Sequence, residues 1–262
     1  MRARVSSLLC ELHAHTTWSD GELSLPELVD LYGSAGFDVL CVTDHVLRGD
    51  DPWPAVHGRP CVDEGSFAAY LEAIARERDR ARAAYGLLVV PGLELTYNDP
   101  DPDRACHAVA VGLERLGSMD EGPAAAMEEA RDAGAAVVVA HPYELGQRTA
   151  TGHQTRYFAR HWRELHGLYH RVELFNGSRL FGWVAEQGLR PVAAGDLHRP
   201  EQFPGWTTLV PCEHDAQALV DYLRSARPPS HKRSTSLQGC GASAYDCRHA
   251  AERGAVRAAG DA

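Results

Sequence analysis

The sequence predicts an α/β fold built on a parallel sheet, and two observations carry that expectation. Short apolar runs rich in Val and Leu recur along the 262 residues, flanked by Gly, Pro or Asp as buried parallel strands are. Between them lie segments with apolar residues at helical spacing, so the order reads βαβα with about seven strands and right-handed crossovers. Such an order builds either a parallel barrel or an open doubly wound sheet. A third observation points to function: histidines and carboxylates stand at the downstream ends of the runs, where both architectures place their chemistry.

Taken in order, residues 8–15 (Leu-Leu-Cys-Glu-Leu-His-Ala-His) form the first run, with Asp20 close behind. Ser24 then precedes Pro26, Glu27, Leu28 and Val29, the pattern of an N-capped helix that Gly33 or Gly36 ends. Residues 39–45 make the second run and finish in Thr43-Asp44-His45. An irregular stretch, residues 46–64, contains Pro52, Trp53, Pro54, Gly58 and Pro60 and is a candidate lid. Further helices are expected at about 65–84, 121–133, 155–168, 178–187 and 215–225, with Gly86, Gly134 and Gly188 as stop signals past three of them. The remaining runs are residues 87–94 ending in Glu94, the segment after Cys106-His107, residues 135–141 ending in His141, and residues 192–198 ending in Asp196-Leu197-His198. His107 is the exception, standing at the start of its run. A second candidate lid, residues 142–154, follows His141. From residue 228 the apolar pattern fades, so 1–227 is expected to form one domain and 228–262 a poorly ordered tail.

Composition sets limits. A formal charge of -10 argues against a broad basic surface for long duplex nucleic acid. The apolar stretch at the start is too short for a signal peptide, and no stretch is long enough to span a membrane, which predicts a cytoplasmic protein. The seven cysteines are odd in number and irregularly spaced; Cys10, Cys41 and Cys106 read as small buried thiols. Cys240 and Cys247 match no structural zinc spacing. Oligomeric state leaves no signal.

With 14 histidines in the chain, a His-x-His pair alone says little. Placement says more: His13 and His15 share one face of a strand and can reach one ion. Successive motifs strengthen the reading. The segments His13-Ala14-His15 through Asp20-Gly21, Val42-Thr43-Asp44-His45, Pro91-Gly92-Leu93-Glu94, His107, Ala140-His141-Pro142 and Gly195-Asp196-Leu197-His198 together resemble the motifs of the PHP (polymerase and histidinol phosphatase) family over about residues 8–212.

That resemblance implies a distorted (β/α)7 barrel and a trinuclear metal site. It places one metal on His13, His15, Glu94 and Asp196, a second on Glu94, His107 and His141, and a third on Asp20, His45 and His198. The cofactors are then two or three divalent transition-metal ions; nitrogen and oxygen donors fit zinc, manganese or iron. The implied activity is metal-dependent hydrolysis of a phosphoester in a small metabolite, a nucleotide or a short oligonucleotide, histidinol phosphate included. Glu94 is the expected bridge, and Asp44 is expected to steady His45 or a neighbouring imidazole. Arg199 is the expected phosphate clamp, with Arg48 and Arg148 behind it, and Asn176 would orient water or substrate. Amidohydrolases also begin with His-x-His, but many bridge their metals with a carboxylated lysine, and Lys232 in the tail is the only lysine. A regulatory or scaffold protein that holds metal without turnover is the competing class.

Overall fold

In the computed structural model the described residues are 7–144, 155–203, 205–233 and 244–245. Chain order runs β1 (Leu8–Glu11), α1 (Leu25–Ser34), β2 (Val39–Val42), β3 (His45–Leu47), α2 (Trp53–His57), α3 (Phe67–Tyr85), β4 (Leu88–Tyr97), β5 (Cys106–Val111), α4 (Pro123–Asp132), β6 (Ala136–Val139), α5 (Tyr157–His161), β7 (Arg171–Asn176), β8 (Arg179–Leu180), α6 (Gly182–Glu186), β9 (Pro191–Ala194), β10 (Trp206–Val210), α7 (Ala216–Arg224), β11 (Ser230–Arg233) and β12 (Ala244–Tyr245). Proline in the first turn of α1 and α4, and Gly86 at φ 68° after α3, are the start and stop signals the sequence carries. No helix among the described residues is long and apolar enough to cross a membrane.

The strands form one curled mixed sheet rather than a regular parallel barrel. Its order is β12-β11-β10-β1-β2-β4-β5-β6-β7-β8, with β3 on β4 and β9 on β7. The ladders β1–β2, β2–β4, β6–β7 and β7–β9 are parallel, as expected, but β5 is antiparallel to both β4 and β6, and β10 is antiparallel to β1. The short connection from Tyr97 to Cys106 explains the first reversal, since a parallel return needs a crossover of a dozen or more residues. Curling brings β9 beside β10 and β1 without a full ladder. Thr208 on β10 accepts from the Ala193 amide (2.8 Å) and donates to the Ala193 carbonyl (2.7 Å), while the His15 amide donates to the Leu197 carbonyl (3.0 Å).

Side-chain alternation divides the core in two. Cys10, Leu12, Val39, Cys41, Val90, Val109, Val138, Val192 and Val210 pack together inside the curl with Leu219 and Leu223 of α7. Leu40, Val89, Ala110, Val137 and Val172 lie under the other helices with Leu28, Ile74 and Met127. Burying one such aliphatic side chain stabilises the fold by about 1.5–3 kcal/mol. Helix α7 is held by Arg171, which is 1% exposed and donates to the carbonyls of Leu223, Tyr222, Ser225 and Arg227 at 2.7–3.0 Å. The carbonyls around the helix end thus solvate a buried cation in place of a carboxylate.

Three expected boundaries shift. The helix expected at 155–168 shrinks to the five residues of α5, with turns from Trp162 to Leu165. Residues 178–187 divide into β8 and α6, because the turn at Gly177 (φ 56°) and Ser178 folds a tight hairpin that pairs Asn176 with Arg179. The sheet also continues past residue 227. Strand β11 pairs with β10, and His231 within it is 1% exposed. The alternation that marks a strand was too short there to stand out from the polar sequence around it. The rest of the expected tail, apart from β12, and nearly all of the 142–154 lid, including Arg148, lie outside the described residues.

Candidate metal centre

Every proposed ligand side chain reaches one end of the curled sheet. Residues His13, His15 and Asp20 follow β1, His45 begins β3, and Glu94 lies within β4. Residue His141 follows β6, and Asp196 and His198 follow β9. The antiparallel course of β5 resolves the exception noted in the sequence: its first residues, not its last, lie at the same rim, and His107 pairs with Thr96 there.

Donor atoms crowd together. His13 Nε2 and His15 Nε2 are 3.0 Å apart, and each lies 3.3–3.5 Å from Glu94 Oε2 and Asp196 Oδ1. The other oxygen, Glu94 Oε1, is 3.1 Å from His107 Nδ1 and 3.1 Å from His141 Nε2. Asp20 Oδ1 lies 3.3 Å from His45 Nε2, 3.2 Å from His198 Nε2 and 3.8 Å from His15 Nδ1. Three sets emerge: His13, His15 and Glu94; Glu94, His107 and His141; and His15, Asp20, His45 and His198. Thus His15 also adjoins the third set, where the sequence reading had placed only Asp20, His45 and His198.

Hydrogen bonds fix the imidazoles. The outward nitrogen of each ring meets a polar partner: His13 Nδ1 meets Glu173 Oε1 (2.8 Å), His45 Nδ1 meets Thr96 Oγ1 (2.7 Å), and His141 Nδ1 meets Thr155 Oγ1 (3.2 Å). Both threonine hydroxyls donate to backbone carbonyls, so each accepts the ring proton. His198 Nδ1 faces the Asp196 carbonyl (3.1 Å), and His107, turned the other way, meets Asn98 Oδ1 through Nε2 (3.1 Å). His15 Nδ1 lies 3.4 Å from Ser19 Oγ, which donates to Asp44 (2.6 Å). With the outer nitrogens held, the inner ones would offer lone pairs to a bound ion; without one, against the effect of burial, the neighbouring carboxylates raise the pKa of His13, His45, His141 and His198, so that protons stand in for the cations there.

Such a centre suits cations. Asp196 Oδ1 is buried without a hydrogen-bond donor, and Glu94 Oε2, which has only His45 Nδ1 close by at 2.8 Å, also faces the inner nitrogens of His13 and His15. Spacings of 3.0–3.5 Å are those of atoms each about 2 Å from a shared ion. Burial opposes ionisation of Glu94 and Asp196, yet the surrounding histidines hold both well below the usual carboxylate range. Burial, helped by His198 and His45, pushes His15 down to about 3, so it is neutral and free to ligate. Backbone strain concentrates at the same rim: His141 (φ 29°) and Asp196 (φ 50°) are the non-glycine residues at positive φ among those described. Gly21 permits the turn that returns Asp20, since a Cβ there would lie 2.5 Å from the His15 backbone.

The remaining expected residues divide. Asn176 reaches the centre, donating to Glu173 (2.8 Å) and Asp196 (3.1 Å). A bulge in β7 between Glu173 and Phe175 makes this possible, because residues three apart on a regular strand face opposite sides. Asp44 is fully buried and accepts from the Thr16 amide, Thr16 Oγ1 and Ser19 Oγ at 2.6–2.8 Å, so it does not steady His45 but acts on His15 through Ser19. That enclosure removes it from contact with substrate. Arg199 is 68% exposed and paired with Glu22 (3.3 Å) outside the small pocket over the ligands. Arg48 stacks on Tyr97 (4.5 Å) beside Asp50 and does not line that pocket either. Among the described residues the arginine that does is Arg179, itself exposed, packed against Tyr143 and brought there by the β7–β8 hairpin.

Sequence reasoning also missed two buried acids. Glu173 accepts from His13, from the His141 amide (2.7 Å) and from Asn176. Glu11 accepts from the amides of Leu12, His13 and Gly195 and from the Tyr32 hydroxyl at 2.8–3.1 Å; burial outweighs these donors and pushes it up to about 7. The available signal was an acid inside an apolar run.

No family model matches the chain, and no curated protein matches it. Among solved structures, it is similar to a two-domain protein from Bacteroides vulgatus containing a predicted PHP-like metal-dependent phosphoesterase, at TM-score 0.60 and 23% identity over 86% of this chain and 64% of that one. The chain therefore spans less than two thirds of that protein. A candidate metal-dependent phosphoesterase from Bifidobacterium adolescentis aligns at TM-score 0.48 and 14% identity, covering 75% of this chain and 89% of the other. A candidate histidinol phosphatase from Listeria monocytogenes aligns at 0.40 and 13%, covering 74% and 97%.

Proposed function

The chain has a PHP-like fold, and from that premise we propose that it is a metal-dependent phosphoesterase acting on a small phosphorylated molecule. The observation that carries this reading is the orientation of the six imidazoles, each with its outer nitrogen held by a partner and its inner nitrogen turned toward Glu94, Asp196 or Asp20. Side chains positioned for packing alone have no need of that order.

Two or three divalent ions, of zinc, manganese or iron, would be held by His13, His15, Glu94 and Asp196, by Glu94, His107 and His141, and by Asp20, His45 and His198. They would supply Lewis acidity and a water acidified toward neutral pH. The protein's own contribution is position and charge. Glu94 places one oxygen toward each of two ligand sets, so its carboxylate would be shared between the two ions they hold. Asn176 and Glu173 fix Asp196, His13 and His141 from behind. Arg179 stands across a pocket of about 210 Å³ from the ligands and can pair with two phosphate oxygens, which replaces Arg199 as the clamp. The pocket has room for a phosphate group and part of the alcohol it carries, and the rest of the substrate extends outward. A cytoplasmic site of action fits a small phosphorylated metabolite, histidinol phosphate and nucleotides included.

Protein purified without chelator should carry at least two equivalents of metal and hydrolyse members of a panel of sugar phosphates, nucleotides, histidinol phosphate and dinucleotides. Glu94→Gln keeps the shape and removes the bridging charge, so it should abolish turnover and lower metal content. Less than one equivalent after reconstitution would refute the centre. Metal-replete protein inactive on the whole panel would instead favour a binding protein.

A further inference from the structure

Resting on the phosphoesterase reading, we infer that Trp53 is the specificity-determining residue of the site and that the substrate's leaving group carries a planar ring that stacks on its indole. The small pocket opens past Asp20 and His198 into a wide cleft of about 650 Å³ on the outer side of the third ligand set. Besides those two ligands, Trp53 is the described residue that lines both spaces. A phosphate between the ligands and Arg179 can therefore send its ester oxygen, and whatever it carries, out alongside the indole.

The indole is fixed in that position. Its backbone amide donates to Asp51 Oδ1 (2.9 Å), and Pro52 and Pro54 on either side restrict the chain. The ring neighbours His45, with centroids 6.0 Å apart and planes tilted by 56°, and His57, at 5.1 Å and tilted by 37°. It is only partly buried, although it stands at the mouth of a polar centre. A large aromatic surface held this way gives a planar ring a face to stack on, whereas a ring-free alcohol gains little from it. Nucleosides and the imidazole of a histidinol-type alcohol both meet the requirement, and the width of the outer cleft suits the nucleoside.

The experiment compares metal-loaded wild type, Trp53→Ala and Trp53→Phe on adenosine 5′-monophosphate, histidinol phosphate, ribose 5-phosphate and glycerol 3-phosphate. It reads kcat/KM, and calorimetric Kd for the same esters if none is turned over. Wild type should prefer one ring-bearing ester to both ring-free ones. Trp53→Ala should lose about tenfold to a hundredfold on that ester. The change on glycerol 3-phosphate should be under twofold, and phenylalanine should restore most of the loss. The larger preference identifies the ring as purine or imidazole. Equal wild-type use of ring-bearing and ring-free esters, or a uniform loss in Trp53→Ala, overturns the assignment while leaving the phosphoesterase reading intact. Absence of all turnover defeats that reading instead, and the Kd ratios still decide whether Trp53 selects a ring.

Discussion

Glu173→Gln should weaken metal binding by forcing His13 into the wrong tautomer. The wild-type carboxylate accepts three hydrogen bonds, from His13 Nδ1 (2.8 Å), the His141 amide (2.7 Å) and Asn176 Nδ2 (2.8 Å). Glutamine has one oxygen to offer. If that oxygen faces the two donors at His141 and Asn176, the new NH2 group faces His13 Nδ1, which must then accept. The His13 proton moves to Nε2, the nitrogen 3.0 Å from His15 Nε2 and 3.4 Å from both Glu94 and Asp196, where a ligand lone pair is needed. Restoring the ligand tautomer sets two donors against each other. Losing one charge-assisted hydrogen bond costs about 1.5–3 kcal/mol. Metal affinity should therefore fall about tenfold to a hundredfold. Competition with a chromophoric chelator measures the affinity, and nitrogen chemical shifts of His13 report the tautomer. Wild-type affinity with His13 still protonated at Nδ1 would refute the reasoning.

Arg179→Ala should reduce kcat/KM at least tenfold, about 1.4 kcal/mol, at unchanged metal content, whereas Arg199→Ala should stay within a factor of three; the reverse order in steady-state kinetics would restore Arg199 as the clamp. His231 is buried, neither ring nitrogen has a partner among the described residues, and burial, with Arg171 nearby, pushes its pKa down to about 4. The unfolded chain binds its proton near pH 6.5, so the neutral ring's contribution is complete above that value and is lost as pH falls toward 4, on the order of 3 kcal/mol. Urea unfolding of wild type and His231→Gln should converge or cross over that window, and parallel pH curves would count against it. Arg171→Met removes the guanidinium from the carbonyls of Leu223, Ser225 and Arg227, while that of Tyr222 keeps Ser225 as a donor, and should lower unfolding free energy by about 3 kcal/mol. A change below about 1 kcal/mol would mean that water replaces the guanidinium.

The site was legible in the sequence wherever a ligand ends a run, because a strand end translates directly into a rim position. His107 read as an anomaly for the same reason: run order carries no strand direction, and only the antiparallel ladders of β5 place its beginning among the other ends. Glu173 escaped because an acid within Val172-Glu173-Leu174-Phe175 has no partner visible along the chain; its three donors come from residues 13, 141 and 176. Arg179 was hidden by a helical pattern that includes its hairpin, and Arg199 gained undue weight from adjacency. A residue next to a ligand on an extended chain points the other way, here to Glu22. The mixed sheet was not legible, since a buried run has the same composition whichever way its neighbours point.

The closure of the curl orders events during synthesis. One edge of β1 pairs with β2 early, but its other edge waits for β10, and the amide of His15 waits for Leu197. A growing chain therefore carries an unpaired apolar strand edge until about 200 residues have left the ribosome, the kind of edge that attracts other strands. Completion of the centre comes equally late, because Asp196 and His198 join the ligands that stand between residues 13 and 141 only at the end. Ribosome-stalled chains cut before residue 196 should accordingly be open to proteases and retain less ion than the full chain, and chains that expose residue 210 should resist digestion.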